Sequence, residues 1–374
     1  MKSAMYLYVF ILGGLVLSWI FGITGVRDQQ WYLIAVAILL AAGLYSSTYG
    51  ISIKEARAHV GLIIRAVTIG VFLKALLIGT VLSLVLHSAV GFIFGIIVAQ
   101  IDPLSTVALT SNNRMSPKAQ TILRAWAAFD DPMTVILSLY APAVIAATTG
   151  VTWQPIRGTM QETGVVGYLL ETGINVAFAF GVFVLWRLLK RHSKSSNYVV
   201  MGLVALGMYA VLAGALSVAV YFFWMLGVAL LGLFMRPPIQ EFLDRVVYWA
   251  LGIAAILLGI LVAGGMDIGK GLVLGIAAYS SQIVVGMLLT RSLGMRDRLH
   301  IAFAQQNGIT AIILALLFEV YYPGTVAIVA PAILVINGVH MLANYLLDMV
   351  LARDFSKLHL THQMQRLGEH MSKM

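Results

Sequence analysis

The residues of this sequence that can do chemistry are acids inside long apolar stretches. Asp130 and Asp131 are adjacent, and Pro132 follows them. Asp102 lies 28 residues before Asp130 and is itself followed by Pro103. Adjacent carboxylates repel each other when both are ionised, so they take up and release protons as a coupled pair. We therefore expect a site at which protons and a cation exchange.

Pro103 predicts a helix break at Asp102. Proline has no N–H group, and it disfavours helical geometry at the preceding residue. Unwound backbone inside a membrane is tolerated only where it lines a cavity or is buried in protein. The alternative is a kinked helix in which Asp102 is hydrogen-bonded for packing. A carboxylate at the bilayer centre costs at least about 2.5–3.5 kcal/mol, which favours a functional role for these acids.

A second break is predicted further along the chain, at Gln305-Gln306-Asn307-Gly308-Ile309-Thr310. Consecutive amides followed by glycine and threonine are unusual in an apolar helix. Two interrupted segments in corresponding halves of a sequence are typical of a transporter site built from discontinuous helices. The alternative is that the amides hydrogen-bond between intact helices.

The composition is that of a polytopic membrane protein. Of the 374 residues, 60% are apolar and 10% are charged, whereas soluble domains carry about 25% charged residues. This excludes a soluble domain and a nucleic-acid-binding role, and the lack of cysteine excludes disulfides. About twelve transmembrane helices of some 20 residues each are predicted. Their approximate bounds are 4–26, 31–52, 60–87, 89–110, 118–149, 165–190, 198–213, 216–235, 246–266, 269–290, 299–319 and 324–351.

The basic residues predict the orientation of these spans. Eighteen Lys and Arg lie at the termini or in even-numbered loops, and only Arg27, Arg157 and Lys270 lie in the opposite loops. This bias places both termini in the cytoplasm. We predict one transmembrane domain over 1–352 and a short cytoplasmic tail over 353–374. Glu171, inside the sixth span, either lines an access funnel or snorkels outward.

Two motifs together resemble the cation:proton antiporter superfamily. They are Ile101-Asp102-Pro103 with Ser105-Thr106, and Phe129-Asp130-Asp131-Pro132. The resemblance implies an all-α, inverted-repeat fold in which the discontinuous fourth and eleventh spans cross at the ion site. It also implies a moving core from spans 3–5 and 10–12, and a scaffold that forms a homodimer.

The resemblance also implies a role for each matched residue. Asp131 corresponds to the aspartate that binds the ion and carries the proton, Asp130 to its neighbour, and Asp102 to the acid of the break. The transported cation would then lie at these three carboxylates. The supporting residues would be Ser105, Thr106, Asn307, Gly308, Thr310 and Gln282.

One departure from the superfamily pattern concerns the partner of Asp130. Members with an Asp-Asp pair usually place a lysine in the tenth span, where this sequence has Gln282. Lys74 lies about fourteen residues into the third span, which is the symmetry mate of the tenth in an inverted repeat. We hypothesise a Lys74–Asp130 ion pair. The alternative is that Lys74 meets another acid or snorkels along a crevice.

The predicted function is secondary antiport, not enzymatic catalysis. A monovalent cation, Na⁺ by family frequency and K⁺ as the other option, would exchange for protons without a cofactor, in a bacterial-type inner or plasma membrane. One alternative is a cation-coupled symporter of an organic anion, which needs basic or aromatic groups around the crossing. Another is an intramembrane aspartyl protease, whose Gly-x-Gly-Asp-like element is missing around Asp102 and Asp130.

Overall fold

The structure is a computed structural model that describes residues 2–51, 60–110, 115–149, 164–192 and 198–371. The regular elements within these ranges are helices. They are α1 (Lys2–Phe21), α2 (Gln30–Tyr49), α3 (Val60–Leu86), α4 (Gly91–Val98), α5 (Pro103–Thr110), α6 (Pro117–Thr149), α7 (Gly164–His192), α8 (Tyr198–Tyr221), α9 (Met225–Phe234), α10 (Gln240–Val262), α11 (Ile268–Leu289), α12 (Met295–Ala302), α13 (Ile309–Tyr321) and α14 (Thr325–Met371).

The helices have the length and composition that a bilayer demands. Within the described ranges, seven helices are long and apolar enough to cross a membrane, and three shorter apolar helices accompany them. Inside a bilayer every backbone N–H and C=O needs an internal partner, and a helix supplies those partners within its own segment. The predicted all-α polytopic membrane fold is thereby confirmed.

One predicted boundary differs from the structure. The cut between the seventh and eighth spans was predicted near Ala213–Ser217, but α8 continues to Tyr221. The chain turns instead at Phe223, which has a left-handed φ of 57°, while the N–H of Trp224 donates to Ala219 O (2.7 Å). The four consecutive aromatic residues at 221–224 include no charged residue or glycine that would have predicted this turn. The last helix continues to Met371, and its apolar segment Thr325–Val350 agrees with the predicted twelfth span.

The helix before the first non-helical segment, α4, is packed closely against α3. α4 lies against α3 and contacts α11 and α14. The contact between α3 and α4 is made through glycines, because a Cβ added to Gly95 would lie 2.6 Å from the backbone nitrogen of Gly79. Helix backbones approach this closely only where both residues are small. The end of α4 is therefore held rigidly beside the middle of α3.

α13 is surrounded by protein, and it is hydrogen-bonded to α2 and to the segment just before α2. All of its residues from Ile309 to Glu319 are buried. The Tyr32 hydroxyl donates to Leu316 O (2.9 Å), and Arg27 Nη1 donates to Glu319 Oε1 (3.0 Å). Glu319 also accepts the N–H groups of Gly324 (2.9 Å) and Val326 (2.7 Å), which hold the turn into α14.

Candidate functional site

Two interruptions in the helices face each other. The chain is not helical over Ala99–Asp102, between α4 and α5, nor over 303–308, between α12 and α13. The N–H of Asp102 donates to Gln306 O (2.8 Å), so backbone from one interruption binds backbone from the other. The structure thus brings together the two segments in which breaks were predicted.

Neutral amide side chains of the second interruption bind backbone carbonyls at the first. Gln305 Nε2 donates to Val98 O and to Gln100 O, each at 2.9 Å. Asn307 Nδ2 donates to Val98 O at 3.2 Å. Buried backbone carbonyls need such partners wherever a helix ends. Because amides carry no charge, they meet this need without altering the charge of the nearby acids.

Asn337 of α14 holds the second interruption through two hydrogen bonds to Asn307. Its Oδ1 accepts the N–H of Asn307 (3.0 Å), and its Nδ2 donates to Asn307 O (3.0 Å). The Asn337 amide thus satisfies both the N–H and the C=O group of Asn307, as a neighbouring strand does in a β-sheet. Asn337 was not singled out in the sequence, because one amide in an apolar helix carries no signal of what lies opposite.

Asp130 is fully engaged by buried donors. Lys74 Nζ lies 2.8 Å from Asp130 Oδ2, and neither side chain is exposed. The N–H of Ile101 donates to the same oxygen (3.0 Å), and Trp126 Nε1 donates to Oδ1 (3.0 Å). Lys74 also lies 5.4 Å from the centre of the Trp126 ring. The two residues paired by hypothesis are in contact, and the indole N–H is a partner that sequence reasoning missed.

Asp131 has different neighbours from Asp130, although the two are adjacent. One end of the Gln100 amide lies 2.8 Å from its Oδ1. The charged groups nearest to it are Asp102 and Asp130, and the Thr310 hydroxyl lies beside it. Its side chain is 2% exposed. Among the described residues, Lys74 forms an ion pair with Asp130, and no Lys, Arg or His forms one with Asp131.

Gly308 and Asp102 are in close contact where the interruptions meet. A Cβ added to Gly308 would lie 2.1 Å from Asp102 Oδ1. No other residue type therefore fits at this position without displacing the acid. Asp102 is itself buried, so the carboxyl is confined between its own unwound segment and the start of α13.

The remaining predicted site residues make hydrogen bonds outside the group formed by Asp102, Asp130 and Asp131. The hydroxyl of Thr106 donates within its own helix, to Pro103 O (2.8 Å). Gln282 Nε2 donates to Ile301 O near the end of α12 (3.0 Å), so its amide supports the second interruption. Glu171 is buried on α7, where its backbone oxygen accepts from Asn175 Nδ2 (2.9 Å). The side chain of Ser105 lies outside the described part of the chain.

The acids are not arranged as a fixed metal centre. In the described ranges, no group of three His, Asp or Glu side chains has the geometry to hold a metal ion together. Asp130 is neutralised by Lys74, while Asp131 and Asp102 are near each other and are surrounded by amides, hydroxyls and unwound backbone. This arrangement offers one pair of acids that can bind either a proton or a weakly held cation.

Comparisons with known proteins agree with this arrangement. Residues 4–339 match the family described as "Sodium/hydrogen exchanger, transmembrane". The fold is similar to that of the sodium proton antiporter MjNhaP1 from Methanocaldococcus jannaschii, with a TM-score of 0.64 and 17% sequence identity. The match covers 90% of this chain and 92% of that one. No curated protein sequence matches significantly.

The family match over residues 4–339 covers nearly the whole chain and includes both interrupted segments. The predicted cation:proton antiporter superfamily is confirmed, and with it an integral, multi-pass membrane location and secondary transport without a cofactor. The enzymatic alternative, an intramembrane protease, is thereby set aside. The chain belongs to the sodium/hydrogen exchanger family and is a cation/proton antiporter.

Proposed function

We propose that this antiporter exchanges Na⁺ for H⁺ by competition at Asp131, with Asp102 as the second acid of the site. A proton and a cation cannot both occupy one carboxyl group, so binding of either expels the other. Exchange then needs no separate sites for the two ions. The preference for Na⁺ over K⁺ is supported by the family description and by the sodium proton antiporter of similar fold.

The single observation that carries this proposal is the difference between two adjacent acids. Asp130 accepts three hydrogen bonds, one of them from a buried ammonium group. Removing its charge would leave Lys74 buried and unpaired, which costs about 3–5 kcal/mol in comparable cases. Asp131 has an amide, a hydroxyl and a second acid around it instead. A change in the charge of Asp131 during a transport cycle therefore costs less free energy than the same change at Asp130.

The surroundings of Asp131 also suit a dehydrated monovalent cation. Such an ion needs oxygen atoms to replace its hydration shell. The candidates are the Thr310 hydroxyl, the Asp102 carboxyl and the backbone carbonyls of the two non-helical segments. Glu171, on α7, is proposed only as an acid of the access path.

The proposal includes the movement that carries the site between the two faces of the membrane. The core would comprise α3–α6 and α11–α14, and the scaffold the remaining helices, through which two copies would form a homodimer. Both termini would face the cytoplasm of a bacterial-type inner or plasma membrane. These assignments are supported by the positions of basic residues and by the fold likeness.

The test is exchange by Asp131→Asn in proteoliposomes loaded with pH and cation dyes. We expect no Na⁺-driven proton release from this variant, because its amide cannot exchange a proton. Asp244→Asn, which changes an exposed acid on α10 in the same way, is the matched control and should exchange normally. Normal exchange by Asp131→Asn would overturn the proposal. Replacing Na⁺ by K⁺ in the same assay settles the choice of cation.

A further inference from the structure

The amide of Gln100 connects Asp131 to the first turn of α13. One end of the amide lies 2.8 Å from Asp131 Oδ1 and 3.0 Å from Thr134 Oγ1, and the other end faces the N–H of Ala311. A backbone N–H can only donate, so the atom facing Ala311 is the amide oxygen. The atom facing the carboxylate is therefore the nitrogen, and it donates to Asp131.

Ala311 is one of the residues whose N–H has no partner inside its own helix. α13 begins after Gly308 as its N-cap, so Ala311 is the third residue of the first turn. The N–H groups of a first turn are unpaired within the helix and carry its partial positive charge. The carbonyl of Asn307, which would be the helical acceptor for Ala311, is taken by Asn337. Gln100 supplies the acceptor instead.

Two hydrogen bonds in series thus run from the α13 backbone to the acid. The N–H of Ala311 donates to Gln100 Oε1, and Gln100 Nε2 donates to Asp131 Oδ1. Donors and acceptors in such a chain polarise each other, so each bond is strengthened by the next. Gln100 is 1% exposed, so water does not compete for these contacts.

We propose that Gln100 is a positioning residue of the exchange reaction, which orients the Asp131 carboxylate and favours its ionised, cation-binding form by relaying the positive end of α13 to it. The inference rests on the proposed function, since it assigns a role relative to Asp131. An N–H group donated to a carboxyl oxygen favours the ionised form over the protonated one. Loss of this donor should therefore favour the proton over the cation.

The experiment measures exchange against pH, and the KM for Na⁺ at each pH, in proteoliposomes. In Gln100→Met, which keeps the length of the side chain but cannot hydrogen-bond, we expect the pH profile to move about one unit toward alkaline pH and the KM for Na⁺ at neutral pH to rise about tenfold. The maximal rate at alkaline pH should remain near that of the wild type. A general loss of packing would lower that rate without moving the profile.

Gln120→Met is the matched control. Gln120 lies in the first turn of α6, and its amide donates to Met115 O (3.0 Å), just before that helix begins. It should keep the wild-type pH profile and KM. Gln100→Glu is the second variant, since it retains an acceptor for Ala311 but places a carboxyl against Asp131. Its profile should move in the same direction and at least as far.

The outcomes separate the two levels of the argument. If Asp131→Asn abolishes exchange while Gln100→Met has the profile and KM of Gln120→Met, the role of Gln100 is wrong and the proposed function stands. If Asp131→Asn still exchanges, the proposed function itself is wrong. If Gln100→Met is not recovered folded, a wild-type profile for Gln100→Glu overturns the role of Gln100.

Discussion

Lys74 of α3 and Asp130 of α6 form an ion pair with no exposed surface, 2.8 Å from nitrogen to oxygen. The pair is completed by the Trp126 indole, which donates to the second carboxyl oxygen. A buried pair of this kind contributes little net stability against an apolar replacement, but either partner alone is strongly destabilising. The pair therefore binds α3 to α6 only for as long as both charges are present.

Replacing Lys74 alone should destabilise the protein. We expect Lys74→Met to lower the free energy of unfolding by about 3–5 kcal/mol, because Asp130 loses its buried counter-charge. The double variant Lys74→Met with Asp130→Asn should recover most of that loss, because no unpaired charge remains. Unfolding followed by tryptophan fluorescence in detergent micelles would measure both. Equal stability of the single and double variants would contradict the coupling.

Transport should be electroneutral, with one proton exchanged per cation. We expect Asp130 to remain ionised beside Lys74, so that only the acid proposed to bind the cation changes its protonation. Moving one net charge would couple the rate to voltage at about 2.3 kcal/mol per 100 mV. We expect the exchange rate in proteoliposomes to be the same at zero and at a clamped potential of about 100 mV, a size set by that constant. A rate that follows the potential would mean that a second proton moves.

The contact between Gly308 and Asp102 predicts that even a methyl group is not tolerated. Gly308→Ala places a Cβ 2.1 Å from Asp102 Oδ1, so the acid or the start of α13 must shift. We expect a rise of at least about tenfold in the KM for Na⁺, since small displacements at such sites have effects of this size or larger. Gly338→Ala on α14, which has open space around its added Cβ, is the control and should transport normally.

Glu319 should matter for stability more than its place at a helix end suggests. Its carboxylate accepts from Arg27 and from two backbone N–H groups at the start of α14. Glu319→Gln should lower the free energy of unfolding by about 1–3 kcal/mol, the usual cost of unmet buried donors. Arg27→Gln should cost less, since Arg27 is partly solvated.

The control for this pair is Asp28→Asn. Asp28 also lies near Arg27, at 3.6 Å, but its side chain is 72% exposed. An exposed contact of this kind contributes at most about 1 kcal/mol and is weakened further by salt. A thermal unfolding series of the three variants at two salt concentrations would check the ranking. A larger effect for Asp28→Asn than for Glu319→Gln would contradict it.

The sequence carried enough information to predict the helical class and both interruptions. Long apolar segments admit only helices in a bilayer, and Pro103 imposes a local constraint that does not depend on tertiary structure. The amides before Gly308 predicted the second interruption for a similar reason. Lys74 could be paired with Asp130 because a buried lysine needs an acid and the two lie at similar depths in their spans.

The residues that hold the site in place were harder to predict. Asn337 binds a peptide thirty residues away, and nothing in its own neighbourhood indicates that partner. Trp126 reads as an ordinary core aromatic residue until its indole N–H is seen to face Asp130. Gln100 stood beside the predicted break, but the direction of its amide depends on α13, which comes two hundred residues later. These contacts depend on three-dimensional proximity rather than on local pattern.

The ties between α13 and the chain around α2 have a mechanical consequence. Leu316 and Glu319 are held in the second half of the helix, while Thr310 at its first turn lies beside Asp131. Nine residues of helix, about 14 Å, separate Thr310 from Glu319. Because a helix is stiff over this length, a tilt about Glu319 also displaces the first turn of α13, where Gln100 faces Ala311. Loosening Arg27 from Glu319 would then displace the first turn of α13, which lies beside Asp131.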